Sequence, residues 1–174
     1  MNDRPIGVSI LAVLHLIGGV LLLYAQVVLF ANFDRVSESL DTVGIPPTLL
    51  VFGLVLLAGI TFASGIGMWL GTRWGWWCAA FYYIYGVARN ANAYRLVSDL
   101  ADGLEAGSHS AGYYFAKFGA RVVIYFLLTL YFFKSNVLAY FGLSDMHKAT
   151  AIGILVSLTA AIFALSAGMT WLTR

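Results

Sequence analysis

The stretch from Leu49 to Leu70, LLVFGLVLLAGITFASGIGMWL, contains no charged residue. A helix needs about 20 apolar residues to cross a hydrocarbon core about 30 Å thick, and this stretch is long enough to do so. It follows Pro46 and Pro47, which suit the start of a helix because proline already has the φ angle that the first turn requires. The stretch therefore predicts a membrane-spanning α-helix.

The composition of the whole chain also indicates a membrane location. Hydrophobic residues make up 61% of the 174 residues and charged residues only 10%. A soluble domain carries about 25% charged residues, and one of this length has too much surface to hide so much apolar area. The net charge of +2 is spread along the chain without a basic block, so no nucleic-acid partner is expected. One cysteine allows neither an intrachain disulfide nor a thiolate metal cluster.

Other apolar runs match the first one in length. The predicted spans cover about residues 6–30, 49–70, 74–96, 113–133 and 149–172. None of them alternates polar and apolar residues as the strands of a membrane barrel would. We therefore expect an all-α membrane protein with about five transmembrane helices, forming a single integral membrane domain over residues 1–174. The expected bundle has a four-helix core and an added C-terminal helix.

Two connections between the predicted spans carry apolar residues. Residues 32–48 form either a short interfacial helix or a polar loop, because apolar residues recur there at helical spacing among charged ones. The segment after the fourth span is expected to lie along the lipid headgroups through Val137, Leu138, Tyr140 and Phe141.

Three short stretches resemble a group of small, uncharacterised prokaryotic integral membrane proteins. Arg4–Ala12, RPIGVSILA, is similar to the Arg-Pro-x-Gly-Val-x-Ile-Leu-Ala opening of that group, and Gly67–Trp77 and Val137–Gly142 are similar to later segments. The resemblance implies a multi-pass protein of the inner, cytoplasmic membrane with four helices and both ends inside, so Arg4 would be cytoplasmic. A fifth span departs from that pattern and would place Arg174 outside. No activity comes with the resemblance.

Ionisable residues within the predicted spans are few. Every Asp and Glu lies outside them, which argues against a proton- or sodium-coupled carrier. His15 lies near the middle of the first span, where it is either an axial ligand of a haem or chlorophyll-type pigment or a hydrogen-bonding partner of a neighbouring helix. Ser64 or Cys78 could pair with His15 as a nucleophile with its base, but the sequence offers no acid to orient the histidine. No catalytic residue and no metal site are therefore predicted.

Cationic residues on the third and fourth spans form a candidate anion or lipid site. Arg89 lies about 22 Å along the helix from Trp74, and therefore about 8 Å from the far boundary. Arg121 lies about 10 Å inward from the same boundary, so the two guanidinium groups are expected at similar depth. Two such groups repel each other unless a lipid phosphate or a carboxylate of another subunit lies between them. Alternatively, they extend separately to the headgroups, where Asp99, Asp102 or Glu105 can meet them. The candidate residues are Arg89, Asn92, Lys117 and Arg121.

The second span carries small residues at every fourth position. Such a ridge lets helix backbones approach closely, either within the chain or at an interface with another chain. The ridge consists of Gly59, Ala63, Gly67, Gly71 and Gly75, and a weaker version on the fifth span consists of Ala160, Ala164 and Gly168.

Aromatic residues gather at one predicted membrane boundary. They predict a membrane aromatic belt or, alternatively, a pigment or quinone pocket. The aromatic residues are Trp69, Trp74, Trp76, Trp77 and Tyr82.

These patterns favour a non-enzymatic structural or accessory subunit of a larger membrane complex. Its expected partners are membrane lipids and other membrane subunits or a second copy of the chain, with bound lipid but no cofactor. The alternative is a small oligomeric channel or carrier in which Arg89, Lys117 and Arg121 set a preference for anions. An intramembrane enzyme ranks third.

Overall fold

The computed structural model describes residues 4–33, 37, 47–99 and 110–172. Within those ranges every regular element is a helix, which confirms the predicted all-α class. The elements are α1 (Ile6–Ala31), α2 (Pro47–Leu70), α3 (Arg73–Asp99), α4 (Ala111–Phe132), the short α5 (Ser135–Tyr140) and α6 (Lys148–Leu172). Most of the predicted interfacial segment, residues 34–36 and 38–46, lies outside the described residues.

Four of the helices are long and apolar enough to cross a membrane. They are Ile6–Ala31, Val51–Leu70, Ala111–Phe132 and Lys148–Gly168. α3 is not one of them, although it is the longest helix of the described chain, because its second half carries polar side chains such as Arg89, Asn92 and Arg95. The structure therefore shows a multi-pass membrane fold with four candidate spans, fewer than the five expected from the sequence.

α3 lies at the centre of the bundle. It packs against α2, α4 and α6, whereas α1 packs mainly on α2. A run of α3 side chains is buried among these neighbours, including Trp76, Ala80 and Tyr83. Protein covers much of α3 as far as Asn90, so this part can carry buried polar groups, whereas the last turns, which include Arg95, are mostly exposed.

Glycines bring the backbones of α1 and α2 into contact. A Cβ atom at Gly19 would lie 2.9 Å from the Phe62 Cα atom, and a Cβ atom at Gly65 would lie 2.9 Å from the Leu16 backbone nitrogen. Each position therefore requires a residue without a side chain. Neither glycine belongs to the small-residue ridge that the sequence analysis identified.

The residues of that ridge do not share one surface. Gly67 and Gly75 pack against each other inside the α2–α3 hairpin, and Gly71 lies in the turn with a φ angle of 66°. Gly59 is exposed and would have no atom within 4 Å of an added Cβ. For Gly67 and Gly75, the structure thus favours the intrachain alternative over an interface with another protein.

Two expectations about the membrane boundary need correction. Trp76 is fully buried, and its indole nitrogen donates a hydrogen bond of 3.0 Å to the Phe132 carbonyl oxygen, so it is not part of an aromatic belt. Trp69 and Trp74 remain about half exposed, as a belt requires. The apolar side chains of the segment after α4 pack into the core rather than onto the headgroups, among them Val137, Leu138 and Phe141.

The contact between α1 and α2 can be tested with two glycines of the same helix. Gly65→Ala is expected to destabilise the fold by about 1–3 kcal/mol, because the methyl group meets the backbone of α1. Gly59→Ala is expected to be neutral, or stabilising by up to about 1 kcal/mol, because alanine favours a helix and meets no neighbour. Thermal unfolding in detergent, followed by circular dichroism, measures both; equal stabilities would contradict the close approach.

Candidate functional site

A buried histidine joins three helices in the interior of the bundle. The His15 Nδ1 atom lies 2.5 Å from the Ser64 hydroxyl of α2, and the Nε2 atom lies 2.8 Å from the Tyr83 hydroxyl of α3. The side chain of His15 is 5% exposed. We call His15, Ser64, Tyr83 and the neighbouring Tyr82 the histidine cluster.

One arrangement of hydrogens satisfies every polar group of the histidine cluster. In it, the Ser64 hydroxyl donates to the Thr61 carbonyl oxygen at 2.8 Å and accepts the hydrogen of the His15 Nδ1 atom. The Nε2 atom then accepts the hydrogen of the Tyr83 hydroxyl. In this arrangement His15 is neutral and carries its hydrogen on Nδ1. In this state the imidazole donates to Ser64 and does not act on it as a base.

The same bonds bear on the predicted axial ligand. Both ring nitrogens of His15 already have partners within the bundle. The iron of a haem or the magnesium of a chlorophyll-type pigment could bind His15 only if it displaced Tyr83 or Ser64. The structure therefore favours the alternative in which His15 holds neighbouring helices together. Among the described residues, no group of three or more His, Cys, Asp or Glu side chains could hold a metal ion.

Tyr82 connects the histidine cluster to α4. Its ring lies edge-on to His15 with 4.8 Å between the ring centroids, and its hydroxyl oxygen lies 3.4 Å from that of Tyr125. The cluster and its immediate partners thus span α1, α2, α3 and α4. Over the part of the chain that the structure describes, no buried side-chain nitrogen or oxygen lacks a partner, as an environment without water requires.

A second polar arrangement lies at the end of the bundle where α1 begins. The Arg4 guanidinium donates to the Tyr140 hydroxyl at 3.0 Å and to the Trp69 carbonyl oxygen at 2.8 Å, and lies 4.4 Å from the centre of the Trp69 ring. The Tyr140 hydroxyl lies 3.1 Å from the Met68 carbonyl oxygen, to which it can donate. We call Arg4, Trp69 and Tyr140 the Arg4 clamp.

The Arg4 clamp unites the three stretches on which the sequence resemblance rests. Arg4 belongs to the first stretch, Trp69 to the second and Tyr140 to the third. Gly71 of the second stretch lies under the Tyr140 ring, where an added Cβ would meet the ring at 2.9 Å. The three stretches therefore describe one local structure rather than three separate features.

The predicted anion site lies on the α3–α4 pair, next to Tyr82 of the histidine cluster. Tyr82 contacts Tyr125 and Tyr94 contacts Phe115, and between these two contacts Arg89 and Arg121 reach a similar level on the two antiparallel helices. Arg89 is half-buried, whereas Asn92 and Arg121 are exposed. The Lys117 ammonium lies 5.6 Å from the centre of the Tyr113 ring. We call Arg89, Asn92, Lys117 and Arg121 the cationic group.

Searches of the chain against known protein families, curated proteins and solved structures gave no match. The resemblance of the Arg4, Gly67 and Val137 stretches to small prokaryotic membrane proteins thus stays a prediction.

The sequence analysis identified some of these residues and missed others. It placed His15 near mid-membrane and gave hydrogen bonding to another helix as one alternative. It did not identify Tyr83, because a tyrosine in an aromatic-rich helix carries no distinguishing pattern. The Arg4 clamp was also missed, since its partners are 65 and 136 positions away in the sequence.

The role of the histidine cluster can be tested with two tyrosines of α3. Tyr83→Phe is expected to destabilise the protein by about 1–2 kcal/mol, because it leaves the His15 Nε2 atom buried without a donor. Tyr85→Phe is the matched control, because the Tyr85 ring contacts Phe81 and Phe163 and its hydroxyl is not part of the cluster. Chemical unfolding in mixed micelles measures the difference; an equal loss in both variants would exclude a specific bond to His15.

Proposed function

We propose that the chain is a non-enzymatic accessory subunit of a larger membrane assembly, in which it packs laterally through the outer face of α6. The proposed topology has five spans, which are the four candidate spans and, in addition, α3. α3 has 27 residues and a length of about 40 Å, and it returns along α2 after a two-residue turn. A helix that runs back beside a spanning helix over that length crosses the same layer. Its polar second half then lies toward the far boundary.

The observation that carries the proposal is the two-sidedness of α6. Its buried residues Ala151, Leu155 and Thr159 follow one line along the helix. At 100° per residue, Gly153, Ala160 and Ala164 lie on the opposite side, and all three are exposed. An exposed line of small residues lets a further helix approach closely in lipid, where packing rather than the hydrophobic effect holds helices together.

The way α6 attaches to the bundle supports the same proposal. Its contacts run mainly to α3. Large apolar side chains such as Ile154, Leu158 and Leu165 flank the line of small residues and are about half or more exposed. This face suits either lipid or the helix of another membrane protein. The line of small residues favours a helix, because small side chains make few contacts with mobile lipid tails.

The hydrogen-bond arrangement of the histidine cluster favours a non-enzymatic role. A serine nucleophile needs a neighbouring base that can take its proton. In the arrangement that satisfies every group of the cluster, the Ser64 hydroxyl donates a hydrogen bond to the Thr61 carbonyl oxygen, and His15 donates to Ser64. The cluster therefore serves to hold helices together. Because both ring nitrogens of His15 already have partners, the cluster also supports a subunit that needs no cofactor. From the sequence resemblance, the proposed location of the chain is the cytoplasmic membrane of a prokaryote.

The outer face of α6 can be tested by adding bulk to it. Ala160→Leu together with Ala164→Leu is expected to release the chain from its assembly, because two large side chains prevent the approach of a partner helix. Ala25→Leu, the same change at an exposed position of α1, is expected to leave the assembly intact. Purification in mild detergent with native mass determination measures the bound partners.

Two results would contradict the proposal. One is a wild-type chain that purifies alone under these conditions. The other is an assembly of unchanged mass in the Ala160→Leu, Ala164→Leu variant. A homo-oligomer of wild-type mass that dissociates in this variant would identify the partner as a second copy of the chain.

A second candidate function, an anion-preferring channel or carrier, is favoured by the level shared by Arg89 and Arg121. An oligomer that placed several such pairs around a passage would concentrate anions there. Chloride flux into proteoliposomes is then expected, with loss of most of the flux in Arg121→Leu. Proteoliposomes without flux above protein-free controls would exclude this function.

A further inference from the structure

The cationic group contains two guanidinium groups, Arg89 on α3 and Arg121 on α4. Arg121 is exposed and Arg89 is half-buried. The contacts of Tyr82 with Tyr125 and of Tyr94 with Phe115 bracket the two arginines from both sides. The two positive charges are therefore held at a similar depth by the packing of the helices.

The described chain offers these arginines no counter-charge. Asp99 pairs with Arg95 on the same helix, with 4.0 Å between nitrogen and oxygen. Asp145 follows α5, at the opposite end of α4 from the cationic group. Two like charges near the hydrocarbon repel each other more strongly than in water, since the local dielectric constant is low. An anion from outside the described residues would remove this repulsion.

Phosphate is the anion that fits these side chains and this depth. A guanidinium group donates two parallel hydrogen bonds to a phosphate, and two guanidinium groups can share its oxygens. Arginine side chains inside a membrane extend toward the headgroup layer, where lipid phosphates lie. Lys117, one turn closer to the start of α4 than Arg121, lies beside Tyr113, an aromatic residue of the kind found at that layer.

We propose that Arg89 and Arg121 bind the phosphate of an anionic phospholipid headgroup on the α3–α4 face, with the Lys117 ammonium as a third positive charge beside it. This site lies on other helices than the α6 face through which the chain is proposed to join an assembly. The two proposals therefore stand or fall separately.

The test measures lipid binding to the purified full-length chain by native mass spectrometry. Phosphatidylglycerol is titrated into the detergent-solubilised protein. Arg89→Gln and Arg121→Gln are each expected to weaken binding by about tenfold, the loss typical of a charge-assisted hydrogen bond. Arg95→Gln removes the same charge from the same end of the bundle but from an exposed ion pair, so binding is expected to change by no more than about twofold.

The outcomes separate the possible sources of the anion. Inorganic phosphate at the same concentrations is expected neither to bind nor to displace the lipid. If it does so, the site takes a free anion and the lipid proposal fails. An equal loss in Arg95→Gln and Arg121→Gln would show general attraction between the lipid and a basic surface, and would also overturn it. If Arg89→Gln does not fold, Arg121→Gln decides the question, because the Arg121 side chain is exposed.

Discussion

The absence of water from the hydrocarbon layer is the constraint on which this structure depends. Within that layer, each buried polar group must find its partner in the protein. The partners are supplied locally or across helices: Asn90 donates to the Gly86 carbonyl oxygen one turn away, whereas Gln26 of α1 donates to the Leu54 carbonyl oxygen of α2. His15 uses both ring nitrogens in this way. The same constraint applies to α3, the most polar long helix of the described chain, whose buried part lies among its neighbours while its last turns are exposed.

The sequence predicted the helices better than their contacts. The length of a mainly apolar run that can span a membrane follows from the membrane's thickness, so the all-α class and most helix limits could be derived from the sequence. The four-residue spacing of the small residues, in contrast, continued through a turn at Gly71, and a pattern along the chain cannot reveal such a change of direction. Gly19 and Gly65, which do bring two backbones together, lie outside any regular repeat, and only the register of α1 on α2 identifies them.

The candidate sites differ in how far the sequence determines them. The similar level of Arg89 and Arg121 on α3 and α4 could be predicted from the rise of a helix, since both positions were counted from the ends of the predicted spans. The partners of His15 could not be predicted in this way, because the rotation of α1, α2 and α3 about their axes determines that Ser64 and Tyr83 face His15. The burial of Trp76 could not be predicted for a similar reason, because a tryptophan near a boundary suits either a lipid interface or a core. Its indole nitrogen donates to the Phe132 carbonyl oxygen, which lies on another helix.

The Arg4 clamp has a consequence for how the chain is assembled. A ribosome releases Arg4 and Trp69 long before it has synthesised Tyr140, and Arg4 donates to both Trp69 and Tyr140. The first helix hairpins can therefore enter the bilayer with only part of the clamp available. The clamp closes only after the residues that follow α4 have been synthesised, so Arg4 completes its hydrogen bonds when α1 to α4 have already been made.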